Sequence, residues 1–465
     1  MSFERLLSQA QSTAVNPEYN LFYDGSRQLD AIGVSIPPRV RALEVVVNWP
    51  RLAVDTLAEV LRVEGFESAD APRVSMEALR RLWQSCGMDV LSNLAQVESL
   101  IQGQAFVVVG RRLDGSIRTT VHTRSGFAVQ RASDGEISEC VVAFEEDTPE
   151  GTTVQKAAYY TPDRIEVFQQ LGGAWGSIGV QPGIGVVPVI PLTNASRITD
   201  KAGRSEMDQV IPFGNAASRS FTLLQLATEI LSMPQRYILG ASADNFRAPD
   251  GSMRTAEEVY LGAMLFAPDP NAKVGQLQGA SLSEIINVIK TCAEQVSAFT
   301  GIPPSMLGVT TSNPASAEAM RAAKERLIAR GERKQQVFGE AWEQWARVAL
   351  RLSGAPTDGL ESLSTVWADI ALPSASARAA SLLQAHAQGA VSARTARDGL
   401  PLTPEQRARE NAGEDTRIEM GASERIVEPE APRSGRGAGG GGGGGGGGAI
   451  TATARCVRTM TARST

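Results

Sequence analysis

Histidine is almost missing from this 465-residue chain: there are two, His122 and His386. Imidazole is the usual acid–base group and metal ligand near neutral pH, so a His-centred triad or a His-rich metal site has little to be built from. His122 falls in a strand pattern and His386 in an Ala-rich helical one, where a histidine is ordinarily packed or solvated. Cysteine is scarce too. Cys86, Cys140, Cys292 and Cys456 lie far apart with no C-x-x-C spacing, which fits reduced thiols made in a cytoplasm and argues against a disulfide framework. No apolar run reaches the ~18 residues of a membrane span. The opening Met1-Ser-Phe-Glu-Arg5 lacks the basic-then-apolar order of a signal peptide. There is no G-x-x-x-x-G-K-[ST] phosphate loop and no H-E-x-x-H. Gly183-Ile-Gly185 starts like a dinucleotide fingerprint, but Pro188 stands where the third glycine belongs and no helix follows. Gly240-Ala-Ser-Ala-Asp244 lacks the last glycine of a nucleophile elbow. Asp369 and Asp398 are the remaining candidates for a carboxylate pair, with nothing local to support it. The expectation is therefore no enzyme, no catalytic residue, no metal site and no cofactor.

Charge of one sign is also short. With 45 Lys+Arg against 51 Asp+Glu, the net charge is −6 and the pI about 5.4. Proteins that grip DNA tightly carry a basic patch or a high pI, so a repressor or nuclease is disfavoured. The hydrophobic share of 42% and charged share of 21% are those of an ordinary globular chain, long enough for two or three domains.

Helical and strand patterns alternate in blocks. Residues 1 to about 60 read as helical, with Tyr19–Gly25 as a link and an apolar helix over Val40–Val60 interrupted by Pro50. Ser75 to Gln102 reads as one helix capped by Ser75, with Trp83 and Cys86 on its packing face. Residues 104–192 switch to period-two patterning with β-branched residues. Strands are expected at Ala105–Val109, Ile117–His122, Phe127–Gln130, Glu139–Phe144, Val154–Tyr160, Arg164–Phe168 and Val186–Pro191, forming one compact antiparallel sheet. Asp114-Gly115 and Asp134-Gly135 are hairpin turns. Lys201 to Met233 returns to helix, starting at Pro212. From Ile211 to Met233 only Arg219 and Glu229 are charged, so this helix is expected to be covered on several sides. Pro234 to Gly279 is turn-rich, with short strands at Tyr237–Leu239 and Val274–Leu277. It is an excursion between two helices that could run antiparallel.

The centre of the chain is Ser281 to Leu352. Ser281 and Glu284 form a capping box. Leu282, Ile285, Ile286, Ile289, Cys292, Ala293, Val296 and Phe299 make one apolar stripe at helical spacing. Pro303 and Pro304 stop that helix. After a tight loop, Asn313-Pro314 supplies an N-cap and an N1 proline for a long helix reaching Leu352, weakened at Gly331 and Gly339. Beyond it, Ser374–Gln388 and Ser392–Asp398 read as helices, and Thr403-Pro-Glu-Gln406 is a capping box for another. Gly439 to Gly448 is a run of ten glycines, which cannot bury a core and is expected to be disordered.

Several segments together resemble the portal proteins of tailed double-stranded DNA bacteriophages, and portals of actinobacteriophages in particular. They are Ile36-Pro-Pro-Arg39, Val46-Val-Asn-Trp-Pro-Arg51, Val63-Glu-Gly-Phe66, Gly185-Val-Val-Pro-Val-Ile-Pro-Leu192, Pro234-Gln-Arg-Tyr237, Thr300-Gly-Ile-Pro-Pro-Ser-Met-Leu-Gly308 and Asn313-Pro-Ala-Ser-Ala-Glu-Ala-Met320. No single motif is specific; their order and spacing over roughly residues 15 to 410 are. The resemblance implies an α+β, mainly helical portal fold of wing, stem, clip and crown, with an antiparallel β region in the N-terminal half. It would make 1–200 a wing, including the β region 104–192. Residues 201–233 and 281–300 would be stem helices around a clip at 234–280. A tunnel loop at 301–316 would precede the long wing helix and its return at 317–370. Crown helices would occupy 371–413, ahead of a disordered poly-Gly tail at 414–465.

As a portal the chain would form a homo-oligomeric ring of about twelve subunits at the capsid vertex of the virion, assembled in the bacterial host cytoplasm. Double-stranded DNA would pass through it. Its partners would be the terminase large subunit, capsid and scaffold proteins, and a head–tail adaptor. The acidic balance suits a conduit: phosphate-gripping cations would hold DNA through counterion release, whereas a neutral or acidic wall lets it slide. Met306, Thr310, Thr311, Ser312, Asn313 and Ser316 would be the tunnel-loop residues facing DNA through weak polar contacts. Another oligomeric head–tail connector component and a soluble hydrolase or transferase are the alternatives, the first lacking this helix–loop–long-helix order and the second lacking a constellation.

Overall fold

Residues 2–27, 44–112, 114–133, 135–148, 151–232, 236–239, 251–252, 273–276, 282–308, 317–370 and 375–400 are described by a computed structural model of the chain. Helix α1 (Ser2–Ser12) buries Leu6, Leu7 and Ala10. Helix α2 (Pro17–Asp24) occupies most of the Tyr19–Gly25 stretch expected as a link, which corrects that expectation, and it begins as α3 (Trp49–Glu59) does. Asn16 and Asn48 accept from the Glu18 and Arg51 amides, and a proline occupies the first turn, where no amide hydrogen is needed. Pro50 thus opens α3 instead of interrupting a longer helix, which corrects the sequence expectation; the segment 28–43 lies outside the described residues. Strand β1 (Val63–Glu67) leads into α4 (Arg73–Ser85) and α5 (Met88–Gln102). The single helix expected over 75–102 is two, because Gly87 takes φ +67 between them. Ser75 is not a cap either: it is buried, and its hydroxyl donates to the Pro356 carbonyl at 2.9 Å.

The β region holds strands β2 (Gln104–Arg111), β3 (Ile117–Thr123), β4 (Phe127–Arg131), β5 (Ile137–Asp147), β6 (Thr153–Tyr160), β7 (Arg164–Leu171), β8 (Ala174–Pro182) and β9 (Val189–Thr193). All the expected strands are present and antiparallel, but they form two sheets, not one: β3-β2-β9 and β4-β5-β6-β7-β8. The parting lies at Gly126, whose φ of +77 and close approach to the Ala143 carbonyl no side chain would allow. Phe106 of one sheet stacks on Phe127 of the other, centroids 4.3 Å apart. Ile137, Cys140, Val142, Val187 and Val189 complete that interior. The far face of the larger sheet is covered by Phe3, Leu6, Leu7 and Ala10 of α1. Strand β8 was not expected. Gly176 and Gly179 hide its alternation, and it forms because Gly172 and Gly173, both at positive φ, turn β7 back on itself.

Helix α6 (Ile211–Ser232) starts at the proline as expected, and β10 (Arg236–Leu239) pairs antiparallel with β11 (Lys273–Gln276). Helix α7 (Leu282–Thr300) returns beside α6: Phe213 near the start of α6 meets Phe299 near the end of α7, centroids 5.7 Å apart. The two are therefore antiparallel, with the β10–β11 pair between their far ends in sequence. The extended segment before α3 runs along α6. The Val45 and Val47 amides donate to Thr222 Oγ1 and Ser218 Oγ at 3.1 and 2.9 Å, so this irregular backbone is satisfied without a sheet.

Helix α8 (Ala317–Ser353) is 37 residues long, roughly 55 Å at 1.5 Å per residue. Gly331 and Gly339 do not interrupt it. At Gly331 an added Cβ would fall 2.6 Å from Ile370 Cδ1, so that glycine marks a close approach. Phe338, Trp342 and Trp345 are fully buried, with Trp83 edge-on to both tryptophans at 6.2 and 5.3 Å. Trp345 Nε1 donates to Thr119 Oγ1 at 3.1 Å. The principal core thus gathers α3, α4, α5, the smaller sheet and α8. Strand β12 (Ser364–Trp367) then pairs with β1, a pairing the sequence pattern did not suggest.

A separate unit begins at Ala375. It contains α9 (Ala375–Ala387), closed by Gly389 at φ +75, and α10 (Ala393–Asp398), capped by Ser392 accepting from the Thr395 amide. Thr403–Gln406 and the poly-Gly tail lie outside the described residues.

Candidate functional site at the base of the 301–316 loop

Helix α7 ends where its backbone needs a glycine. Thr300 Oγ1 donates back to the Val296 carbonyl at 2.7 Å and accepts from the Ile302 amide at 3.2 Å. Gly301 adopts φ +75, and a Cβ there would stand 2.8 Å from Leu327 N and 3.0 Å from Arg326 C. The turn backbone therefore lies directly on the backbone of α8. Pro304–Leu307 forms one 3-10 turn closed by Gly308 at φ +83. Ile302 and Leu307 are buried against Trp49, Ala53, Val210, Ala217 and the α7 stripe Ile289, Cys292, Ala293 and Val296. That small core fixes the start of the loop. Met306, by contrast, is 46% exposed. Thr310, Thr311, Ser312, Asn313 and Ser316 lie outside the described residues.

Beneath the turn lies a polar cluster that sequence reasoning missed. Glu206 pairs with Lys334 at 2.7 Å through Oε1 and with Arg330 through Oε2. Asn194 Nδ2 donates to Glu206 Oε1 at 2.9 Å, and its Oδ1 accepts from Lys334. The second guanidinium nitrogen of Arg330 donates to the Thr300 carbonyl. Lys334 is only 4% exposed and Asn194 2%. Burial pushes the Glu206 carboxyl upward, but the Lys334 and Arg330 charges outweigh it and hold it below the ordinary range. Glu206 is itself held from behind: its amide donates to the Leu100 carbonyl at 2.9 Å, at the end of α5. One carboxylate thus gathers the end of β9, the lead-in to α6, the end of α7 and the middle of α8. The legible hint was Arg330 and Lys334 four apart on one helical face; their anion, 124 residues from Arg330, left no local trace.

Among the described residues no three His, Cys, Asp or Glu side chains could share a metal ion. Burial, then the neighbouring Arg118 charge, lowers the His122 pKa, and its Nε2 lies 2.8 Å from Thr120 Oγ1. His386 Nδ1 lies 3.0 Å from the Val391 carbonyl. Gly183 of the incomplete fingerprint has a packing reason: a Cβ would strike the Pro162 carbonyl. Among the described residues, no helix is long and apolar enough to cross a membrane.

The mixed body of helices and antiparallel sheets is the α+β class that the resemblance to portals implied. The sequence profile described as phage portal protein, SPP1 Gp6-like, matches residues 13–419, and the chain belongs to that family. Portal proteins of this family are structural, non-enzymatic components of the virion. The chain is 33% identical over 417 residues to the portal protein of Mycobacterium phage L5, covering 86% of this chain and 85% of that one. It is 32% identical over 430 residues to the portal protein of Mycobacterium phage D29, covering 89% and 87%. A chain from the neck of an empty GTA particle is a more distant likeness, with 16% identity, a TM-score of 0.44, and coverage of 80% of this chain and 96% of that one.

Proposed function

We propose that copies of this chain, about twelve, stand side by side in a ring at one capsid vertex, around a channel through which double-stranded DNA enters and later leaves. The terminase large subunit would dock at one end and a head–tail adaptor would join the finished head to the tail. Capsid and scaffold proteins would surround the ring as it assembles in the host cytoplasm. In this reading residues 1–200 and 317–370 are the wing, α6 and α7 the stem, 234–280 the clip, 301–316 the tunnel loop, 371–413 the crown and 414–465 a tail.

The observation that carries the ring is the apolar surface a single copy leaves open on its helix pair. Leu223, Ile286, Val288 and Phe299 are exposed, and α6 has almost no charge. A groove of about 450 Å³ runs between α6, α7 and the 44–49 segment, lined by Val45, Val47, Trp49, Phe221, Leu224 and Ile286. Exposed large apolar side chains on both helices of one hairpin suit contact with neighbouring copies, the kind of contact that closes rings. The loop at the foot of this hairpin then faces the axis, and its neutral polar residues Thr310, Thr311, Ser312 and Asn313 touch passing phosphates without fixing register.

Electron microscopy and light scattering of the purified protein test this. Rings with a central hole are expected; a chain that stays solitary at every concentration overturns the reading.

A further inference from the structure

We propose that Arg330 is a positioning residue through which the long helix α8 sets the place of residues 301–308, the start of the loop. This rests on the reading that the loop faces the channel. The last carbonyls of a helix have no partner within it, and they form the negative end of its dipole. At the end of α7 the Thr300 carbonyl finds its partner in Arg330, one nitrogen of whose fork it takes while another takes Glu206 Oε2. A guanidinium holds two acceptors at fixed angles; an ammonium on a flexible stem does not.

The turn that follows has no side chain between itself and α8, because Gly301 rides on Arg326 and Leu327. One turn further along α8, Arg330 ties the same carbonyl to the helix. Any displacement of α8 at this level carries the start of the loop with it. Lys334 and Asn194 meanwhile keep Glu206 in place. The two cations on one carboxylate therefore have different work: Lys334 neutralises the buried charge, and Arg330 passes position from α8 to the loop.

That division is what the test reads. Full-length Arg330→Lys keeps the charge beside Glu206 and loses the bridge to Thr300. Lys334→Met does the reverse. Amide hydrogen exchange is followed across 297–308, with 341–350 as an internal reference, alongside ring yield and DNA packaged per head. For Arg330→Lys the ring yield should stay at the wild-type level. Exchange over 300–308 should rise about tenfold or more, the scale of one lost charge-assisted hydrogen bond, and packaged DNA should fall by a similar factor. Lys334→Met should leave exchange at 300–308 unchanged. Unchanged exchange in Arg330→Lys, or an equal rise in both variants, overturns the positioning role. Faster exchange with normal packaging overturns the link to DNA movement. An absence of rings in the wild-type protein would instead sink the proposed ring and channel.

Discussion

Replacing Glu206 with glutamine preserves the shape of the side chain and deletes one charge from a site that holds three. Lys334 is 4% exposed and sits 2.7 Å from Glu206 Oε1. With the carboxylate gone, its ammonium faces only amide oxygens, and Arg330 loses its ionic partner as well. Removing one member of a buried pair costs roughly 3–5 kcal/mol, because the remaining charge stays desolvated. With an unfolding entropy of about 2.1 cal/mol/K per residue, over the roughly 370 residues of the larger unit this lowers the melting temperature by about 4–6 °C. Calorimetry on the purified chain reads it directly. Adding Lys334→Met removes the stranded cation and should recover at least ~1 kcal/mol of the loss, a coupling expected only of groups in direct contact. Acid supplies a second arm. Lys334 and Arg330, outweighing burial, depress the folded pKa of Glu206. Its contribution is therefore complete above the unfolded value near ~4.3 and is lost as pH falls through the lower folded value. The gap between wild type and Glu206→Gln should narrow below about pH 4. A single-variant cost under ~1 kcal/mol, or a gap constant from neutral pH down to about pH 3, would refute a charged Glu206 as the node.

Gly301→Ala should cost about 2–4 kcal/mol in denaturant titrations, combining a positive φ with backbone contact to Leu327 and Arg326. Gly339→Ala meets only ordinary van der Waals contacts, the nearest being Trp367 Nε1 at 3.5 Å, so thermal scans should show a gain of about 0.5–1 kcal/mol. Gly331→Ala should gain less or lose, since Ile370 Cδ1 must move from 2.6 Å. Replacing residues 240–272 by a short linker between β10 and β11 should leave rings intact in electron micrographs and abolish motor docking in a pull-down with terminase; loss of rings would count against a clip there.

Short-range chemistry was readable along the chain. Pro212 at the head of α6 marks a start, Pro303-Pro304 a stop, and Asp114-Gly115 a hairpin turn; each of these depends on a residue's own φ and its nearest amides. The family was legible by a different route, the resemblance to portals of several segments between Ile36 and Met320 in their order and spacing, and the family match agrees with it. Pro50 was misread because the same residue breaks a helix from inside and starts one from the first turn, and only the chain before it decides which. Where strands divide was hidden for the same kind of reason: β4 and β2 have similar patterns, and their separation depends on Gly126 meeting Ala143. The Glu206 cluster was the least legible part. A buried carboxylate is tolerable only once its cations arrive, and Lys334 and Arg330 arrive from more than a hundred residues away, so packing alone brings them together.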